Sequence, residues 1–354
     1  MKKMKHNQIQ HKTMPMNDIN ALSSYDYNLP NELIANEPIM PKEDAKLLVY
    51  HKNSKKIQHL KFGDLADILP ECAVIFNDTK VIKARIIGKK QSGGQTEIML
   101  NQPLGDGKFS AYIRGKVNQG SMLIFDNDIN AEVLKLNDDG TRVVSFLKSN
   151  KKLDTNEIFK ELEIIGHIPL PPYIKRPDTK EDESWYQSIF AQNSGAVAAP
   201  TASLHFSNEM LEKIKKAHKT SYITLHVGAG TFKGVESENI NEHKMHSEFF
   251  SIPQATLDII NSNTPILGVG TTVTRCIEEY ARSKKESGFC NLFLNLNNPP
   301  IRQQYLLTNF HLPKSTLIML VSSFIGLDET MEIYKTAIEN KYRFYSYGDG
   351  MIII

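Results

Sequence analysis

Between residues 72 and 150 the chain alternates short apolar runs with turns: AVIFN, VIKARIIG, TEIML, FSAYIR, SMLIF, AEVLKL and TRVVSFL. Ser92-Gly93-Gly94, Gly105-Asp106-Gly107 and Asn137-Asp138-Asp139-Gly140 punctuate them. Short strands at even spacing with such turns predict a small all-β barrel or sandwich. Beyond residue 153 the period changes. Residues 154–165 and 207–217 read as amphipathic helices, the second capped by Ser207. Residues 222–227 and 266–269 read as buried strands, and 272–285, 315–325 and 329–340 as helices. Strands alternating with helices make a layered α/β domain, and residues 25–71 share the mixed texture. The expected fold class is therefore α/β. A layered α/β main domain, discontinuous over 25–72 and 154–354, carries a small all-β barrel inserted at 73–153. The segment GHIPLPP (166–172) forms a stiff re-entry. Residues 1–24 are polar, basic and without an apolar core, and read as a mobile arm rather than a signal peptide.

Composition adds limits. With 354 residues and 40% apolar content, the chain has the size of two domains and cannot be mostly disordered. Its most apolar run, LIMLVSSFI (317–325), is half the length that a bilayer requires, so no membrane contact is expected. The 3 cysteines form no CxxC pair, which speaks against a disulfide framework or a Cys-rich zinc site and fits a cytoplasmic protein. The net charge of +2 hides an asymmetry: residues 79–153 hold 13 Lys and Arg against 7 Asp and Glu. Lys80, Lys83, Arg85, Lys89 and Lys90 lie in one stretch without an acid before residue 97. Such a module suits a phosphate backbone, and equally a solvated strand edge that blocks aggregation.

Three small-residue turns are candidate ligand sites. In TLHVGAGTF (224–232), Gly228, Gly230, Thr231 and Phe232 follow a strand and His226, and the two glycines let backbone N–H groups approach a ligand closely and form an anion nest. In GVGTTVTR (268–275), Gly270, Thr271 and Thr272 open a helix with Arg275 in its first turn, so open N–H groups, the helix dipole and a guanidinium would converge on one anion. In GAVAAPTASLHFS (195–207), Thr201, His205 and Phe206 precede a helix. None matches GxGxxG or a Walker loop. Six of 11 histidines, His167, His205, His226, His243, His246 and His311, lie beside these turns or in similar segments, which points to a proton-transfer role for one of them. HKMHSE (243–248) resembles half a metal site, but it is not HExxH and no metal is expected. Asn309 and His311 in TNFHLPKS, with Tyr347 and Asp349 in YSYGDG, supply aromatic and polar groups for a heterocycle and a cationic amine.

Taken in order, eight stretches resemble one family, the S-adenosylmethionine:tRNA ribosyltransferase-isomerases of queuosine biosynthesis. They are FNDTKVIKARI (76–86), GHIPLPPYIKRPD (166–178), GAVAAPTASLHFS, TLHVGAGTF, HKMHSE, GVGTTVTR, TNFHLPKSTLIMLVSSF (308–324) and KYRFYSYGDGM (341–351). The resemblance implies an α/β protein with an inserted barrel. It also implies transfer and isomerisation of the ribosyl moiety of S-adenosylmethionine onto 7-aminomethyl-7-deazaguanine at the tRNA wobble position, giving epoxyqueuosine with release of adenine and methionine. S-adenosylmethionine is then a co-substrate, no prosthetic group is implied, and the pattern is that of a monomer.

Under this resemblance His205, His226 and His246 are candidate acids or bases, with Glu248 orienting a histidine. Thr201, Phe206, Gly228, Gly230, Thr231, Phe232, Gly270, Thr271, Thr272, Arg275, Asn309 and His311 are candidates for S-adenosylmethionine. Lys80, Lys83, Arg85, Lys89, Lys90, Lys175, Arg176, Tyr347 and Asp349 are candidates for tRNA and its base. The chain departs from the family pattern at Lys46 and Lys80, where Arg is usual, at Ser203 in place of Gly, and at Asn295-Leu296-Asn297 in place of a Tyr-Pro-Gly turn. Two alternatives remain at this point: a non-catalytic RNA-binding protein, and a metal-dependent hydrolase using His243, His246 and Glu248.

Overall fold

The computed structural model describes residues 18–232 and 234–354; residues 1–17, most of the expected arm, and the Phe232 side chain lie outside the described residues. Residues 20–22 are hydrogen-bonded to the segment 238–241, while Asp18, Ile19 and Ser23 are exposed. Leu22 N–H bonds the Glu238 carbonyl (2.8 Å), Ala21 bridges to Asn239, and Tyr25 just beyond is fully buried.

A nine-stranded mixed sheet runs in the order Ser287–Cys290, Glu248–Ser251, Thr220–Leu225, Ala73–Asn77, Ile266–Val269, Tyr305–Asn309, Gly350–Ile353, Lys46–His51, Lys56–Lys61. Its four middle strands, Thr220–Leu225 to Tyr305–Asn309, are mutually parallel. The run AVIFN explains its own place. All five residues are buried, as in strands covered on both faces. Val74 and Phe76 pack against Met210, Leu211 and Ile214 of the helix Asn208–Ala217. Ala73 and Ile75 pack against Val273, Cys276 and Ile277 of the helix Thr271–Ser283 on the other face. AVIFN, expected within the barrel segment, is thus a central strand of the main sheet. A third core lies under the helices Thr316–Ile325 and Leu327–Glu339.

The barrel strands are Arg85–Lys90, Gln95–Gly105, Lys108–Arg114, Met122–Ile124, Ile129–Leu136 and Arg142–Lys148, all antiparallel. Closure comes from the last, which pairs with both Lys108–Arg114 and Ile129–Leu136. Alternate residues such as Ile98, Leu100, Phe109, Ala111, Val133 and Val144 fill the interior. The helix Thr155–Ile165 starts with a capping box, Asp154 accepting from Glu157 N–H (2.8 Å) and Glu157 from Asp154 N–H (2.9 Å). It buries Ile158 and Leu162 against the barrel rather than the main sheet. A two-stranded parallel ladder, Thr79–Val81 with Asn193–Ala196, joins the chain leaving for the barrel to the chain returning from it.

Among the parallel strands, the first in the chain (Ala73–Asn77) lies between the second and the third. The connections therefore diverge there, and in open α/β sheets ligands bind beyond the carboxyl ends of strands at such a point. Those ends bring together Asn77, His226, Gly270 and Asn309. No helix among the described residues is long and apolar enough to cross a membrane.

Candidate active site

Two cavities open at this edge. The first, about 100 Å³, is lined by Thr201, Thr231, Gly270, Thr271, Thr272, Asn309 and His311 among others. Gly270 has φ of 92° and hands its strand to the helix Thr271–Ser283, which no side chain caps. Thr274 N–H already bonds the Gly270 carbonyl (3.3 Å), so the donors of Thr271, Thr272 and Val273 are those left for a ligand. Asn77, which the sequence reading missed, braces this turn. Its Nδ2 donates to Thr272 Oγ1 (3.2 Å) and the Leu225 carbonyl (3.1 Å), while its Oδ1 accepts from Thr79 N–H and Leu225 N–H (3.1 Å each). An asparagine closing an otherwise apolar strand, in FNDT, is the signal that marks it.

Asn309 is 1% exposed and donates through Nδ2 to His205 Nε2 (3.1 Å) and the Tyr345 carbonyl (3.2 Å). Its Oδ1 is buried without a hydrogen-bond partner. His205 lies behind it, stacked on Phe62 (centroids 3.9 Å apart), and lines a separate recess with Lys42 and Tyr347. Burial pushes His205 down to about 3, so it is neutral and its Nε2 acts as an acceptor. The structure thus gives His205 to Asn309, not to the open cavity. His311 bonds Thr308 Oγ1 (2.9 Å) and is also pushed down to about 3 by burial. Phe206 faces inward onto Phe76 and Phe190, so it is a core residue.

The second cavity, about 530 Å³, lies between the barrel and the main sheet and has the size of an ordinary ligand pocket. His226, Gly228, Gly230, His246 and Glu248 line one wall; Asn101, Ser110, Asp139 and Thr141 of the barrel line the other. The loop after the strand Thr220–Leu225 partitions the two spaces: Val227 and Thr231 face the first, His226, Gly228 and Gly230 the second. Asn101 Oδ1 holds this loop by accepting from Ala229 N–H (3.0 Å).

His226 Nδ1 meets Thr79 Oγ1 at 2.8 Å, and that hydroxyl donates to the Asn193 carbonyl (3.4 Å). A hydroxyl so engaged accepts from Nδ1–H and leaves Nε2 with a lone pair. Burial lowers the His226 pKa, against a smaller opposing effect of Asp78. Gly195, at φ of 152°, faces the Cε1–Nε2 edge of the ring; a Cβ there would stand 2.9 Å from it. His246 is exposed and packs over Gly230, whose absent Cβ would meet its ring at 2.7 Å.

Glu248 orients no histidine. Its Oε1 accepts from Gly228 N–H (3.0 Å) and its Oε2 pairs with Arg275 Nη1. Arg275 also donates to the carbonyls of Leu292 (3.2 Å) and Cys290 (3.1 Å), so its guanidinium is committed and does not reach a ligand anion. Helical position brought Arg275 to the site's underside, where a buried carboxylate claimed it. His243 packs edge-on to Phe293, and no group of three His, Cys, Asp or Glu that could hold a metal ion comes together among the described residues.

The basic set is partly self-neutralised. Lys83 pairs with Glu183 (3.0 Å) and Glu163 (3.9 Å), Lys80 with Glu163 (3.6 Å), and Arg85 with Glu97 (2.8 Å). Arg176 grips buried Asp182 through two bonds (2.6 and 2.9 Å), and Tyr347 donates to the same carboxylate (2.8 Å). Asp349 accepts from the backbone of Lys46 (2.8 Å) and Arg343 (2.7 Å), which takes it away from any amine. Lys90 bonds the Lys116 carbonyl (2.7 Å), whereas Lys89 and Lys175 are exposed. Lys46 Nζ serves the carbonyls of Asn340 (2.9 Å) and Lys341 (3.1 Å).

Comparison with known proteins agrees with this architecture. The family model described as a queuosine biosynthesis protein matches residues 22–353. A relative from Campylobacter concisus, named S-adenosylmethionine:tRNA ribosyltransferase-isomerase, is 71% identical over 96% of this chain and 100% of its own length. One from Campylobacter jejuni subsp. jejuni (strain 81-176), of the same name, is 62% identical over the same shares. The crystal structure of S-adenosylmethionine tRNA ribosyltransferase from Thermotoga maritima superposes with a TM-score of 0.52 at 31% identity, covering 94% of this chain and 100% of that one. With its inserted barrel, its sheet-edge cavities and these matches over nearly its full length, the chain belongs to the queuosine biosynthesis protein family.

Proposed function

We propose that this chain transfers and isomerises the ribosyl moiety of S-adenosylmethionine onto the aminomethyl group of 7-aminomethyl-7-deazaguanine at the wobble position of tRNA. Epoxyqueuosine, adenine and methionine are the products. The observation that carries the reading is the pair of cavities separated only by the loop 226–231, one against a helix N-terminus and one against the barrel. S-adenosylmethionine, a co-substrate, occupies the first. Its carboxylate meets the N–H groups of Thr271 and Thr272, and Asn309 Oδ1 accepts from one of its donors. The deazaguanine occupies the second, where neutral His226 takes a proton through Nε2 and His246 stands across the loop. Lys89 and Lys175 meet tRNA phosphates. In this reading the enzyme works in the cytoplasm as a monomer, with no prosthetic group.

The test supplies the protein with S-adenosylmethionine and precursor tRNA and follows adenine and methionine. Stoichiometric release of both is expected. Under single turnover, His226→Ala lowers the rate about 10²- to 10⁴-fold, the usual span of general acid–base catalysis. Absence of adenine release from the wild type overturns the activity. A rate within about tenfold of wild type for His226→Ala removes His226 from proton transfer.

A further inference from the structure

The outermost strands of the sheet carry an aromatic feature that the scheme above does not use. Glu248–Ser251 and Ser287–Cys290 are antiparallel, with Phe249 directly opposite Phe289. Their neighbours Glu248, Phe250 and Cys290 turn inward and are buried, so Phe249 and Phe289 share the outer face. They are 40% and 55% exposed, although each ring has an apolar surface that folding would ordinarily cover. Both line the second cavity. Phe249 lies nearly parallel to the His226 ring (centroids 6.1 Å, 20°), and Phe289 meets Phe249 edge-on (5.8 Å, 75°). Three rings therefore lead from the imidazole out to the cavity mouth. The turn into the outer strand carries Lys284, Lys285 and Glu286, all exposed and together of net charge +1.

We propose that Phe249 and Phe289 form a stacking platform for an unpaired RNA base adjoining the wobble nucleotide. The inference rests on the tRNA reading of the second cavity. A nucleotide whose base enters that cavity belongs to a single-stranded loop, and its neighbour must leave along the same mouth. Loop bases are recognised by stacking on aromatic faces, and such stacking tolerates any base because each has a π-face. Phe289 is the outer ring and presents its free side to solvent. A purely structural role, as a cross-strand pair that stabilises the sheet edge, predicts an effect on stability alone.

The test uses the full chain and an anticodon stem–loop RNA of a substrate tRNA, with binding followed by fluorescence anisotropy. Phe289→Ala is expected to weaken binding about 5- to 150-fold, the equivalent of one lost stacking contact. Phe289→Trp retains affinity, while Phe289→Leu, apolar but without a flat face, behaves like alanine. The slope of log affinity against log salt stays as in wild type, because no phosphate contact is removed. An abasic nucleotide placed in turn on each side of the wobble position weakens wild-type binding, and at one of the two it has no further effect on Phe289→Ala. Binding by Phe289→Ala within about twofold of wild type, full retention by Phe289→Leu, or additivity with both abasic positions overturns the platform. Adenine release by the wild type is scored in parallel. Its absence overturns the activity reading, whereas a null result from the Phe289 series alongside normal release overturns only the platform.

Discussion

Glu248 offers the sharpest test of how the site is held. It is 6% exposed, as is Arg275, and the two form an ion pair beneath the glycine loop. Truncation to alanine removes the countercharge of Arg275 and the acceptor of Gly228 N–H together. Breaking a buried pair from one side costs about 3–5 kcal/mol. Leaving an amide unpartnered adds about 1–3 kcal/mol, which water from the adjoining cavity reduces. Arg275 keeps its two carbonyl acceptors, so the lower part of the combined range of about 4–8 kcal/mol, about 4–5 kcal/mol, is expected for Glu248→Ala. Glu248→Gln keeps the acceptor for Gly228 but turns an amide donor toward the guanidinium, and about 2–3 kcal/mol is expected. Adding Arg275→Met to Glu248→Gln should recover part of the loss, since no buried charge is then left alone. Urea unfolding followed by near-ultraviolet circular dichroism measures all three. A destabilisation below about 1 kcal/mol for Glu248→Ala, or strict additivity in the double variant, refutes the pairing as the loop's support.

Other outcomes follow from the same geometry. Gly195→Ala places a Cβ 2.9 Å from the Nε2 edge of His226, so single-turnover rates should fall at least tenfold while S-adenosylmethionine binding, measured by calorimetry, holds. His205 and His311 titrate near 3 in the fold and near 6.5 when unfolded, so the unfolded chain binds the extra protons between these values. Stability is therefore complete above pH 6.5 and is lost as pH falls toward 3. His311→Gln should flatten the plot of unfolding free energy against pH by about 1.4 kcal/mol per unit between pH 4 and 6. For RNA binding, Lys89→Ala and Lys175→Ala should each reduce the magnitude of the salt slope by about 1, while Lys83→Ala, whose ammonium already faces Glu183 and Glu163, should change it less.

Much of the fold could be read from the chain because its signals are local. Ser207 caps the helix as its position suggested, and Asp154 and Ser315 cap theirs in the same way. The alternation from Arg85 to Lys148 is that of a closed barrel with one face inside. AVIFN escaped correct placement because an apolar strand reads the same whether it ends a barrel or centres a parallel sheet. Site residues were legible as a set but not in their tasks. His226 and Gly270 sit at strand ends, where sequence position is enough. The tasks of Glu248, Arg275 and Asp349 depend on which partner lies across space, and their partners Gly228, Cys290 and Lys46 are 20, 15 and 303 residues away. Lys83 looked free because its acids, Glu163 and Glu183, lie 80 and 100 residues away, whereas Asp182 stands only 6 residues beyond Arg176 and reaches it through a local turn that the residue types alone do not mark.

The ladder between Thr79–Val81 and Asn193–Ala196 limits how far this protein is modular. Thr79 holds one nitrogen of His226, and Gly195 borders the other. The two ends of the insertion are thus the jaws of a clamp on the imidazole. An engineer who excised or exchanged the barrel as a cassette would be cutting at the clamp, not at a linker. By the same connection, a load applied to the barrel by a bound macromolecule reaches the ring through two short strands.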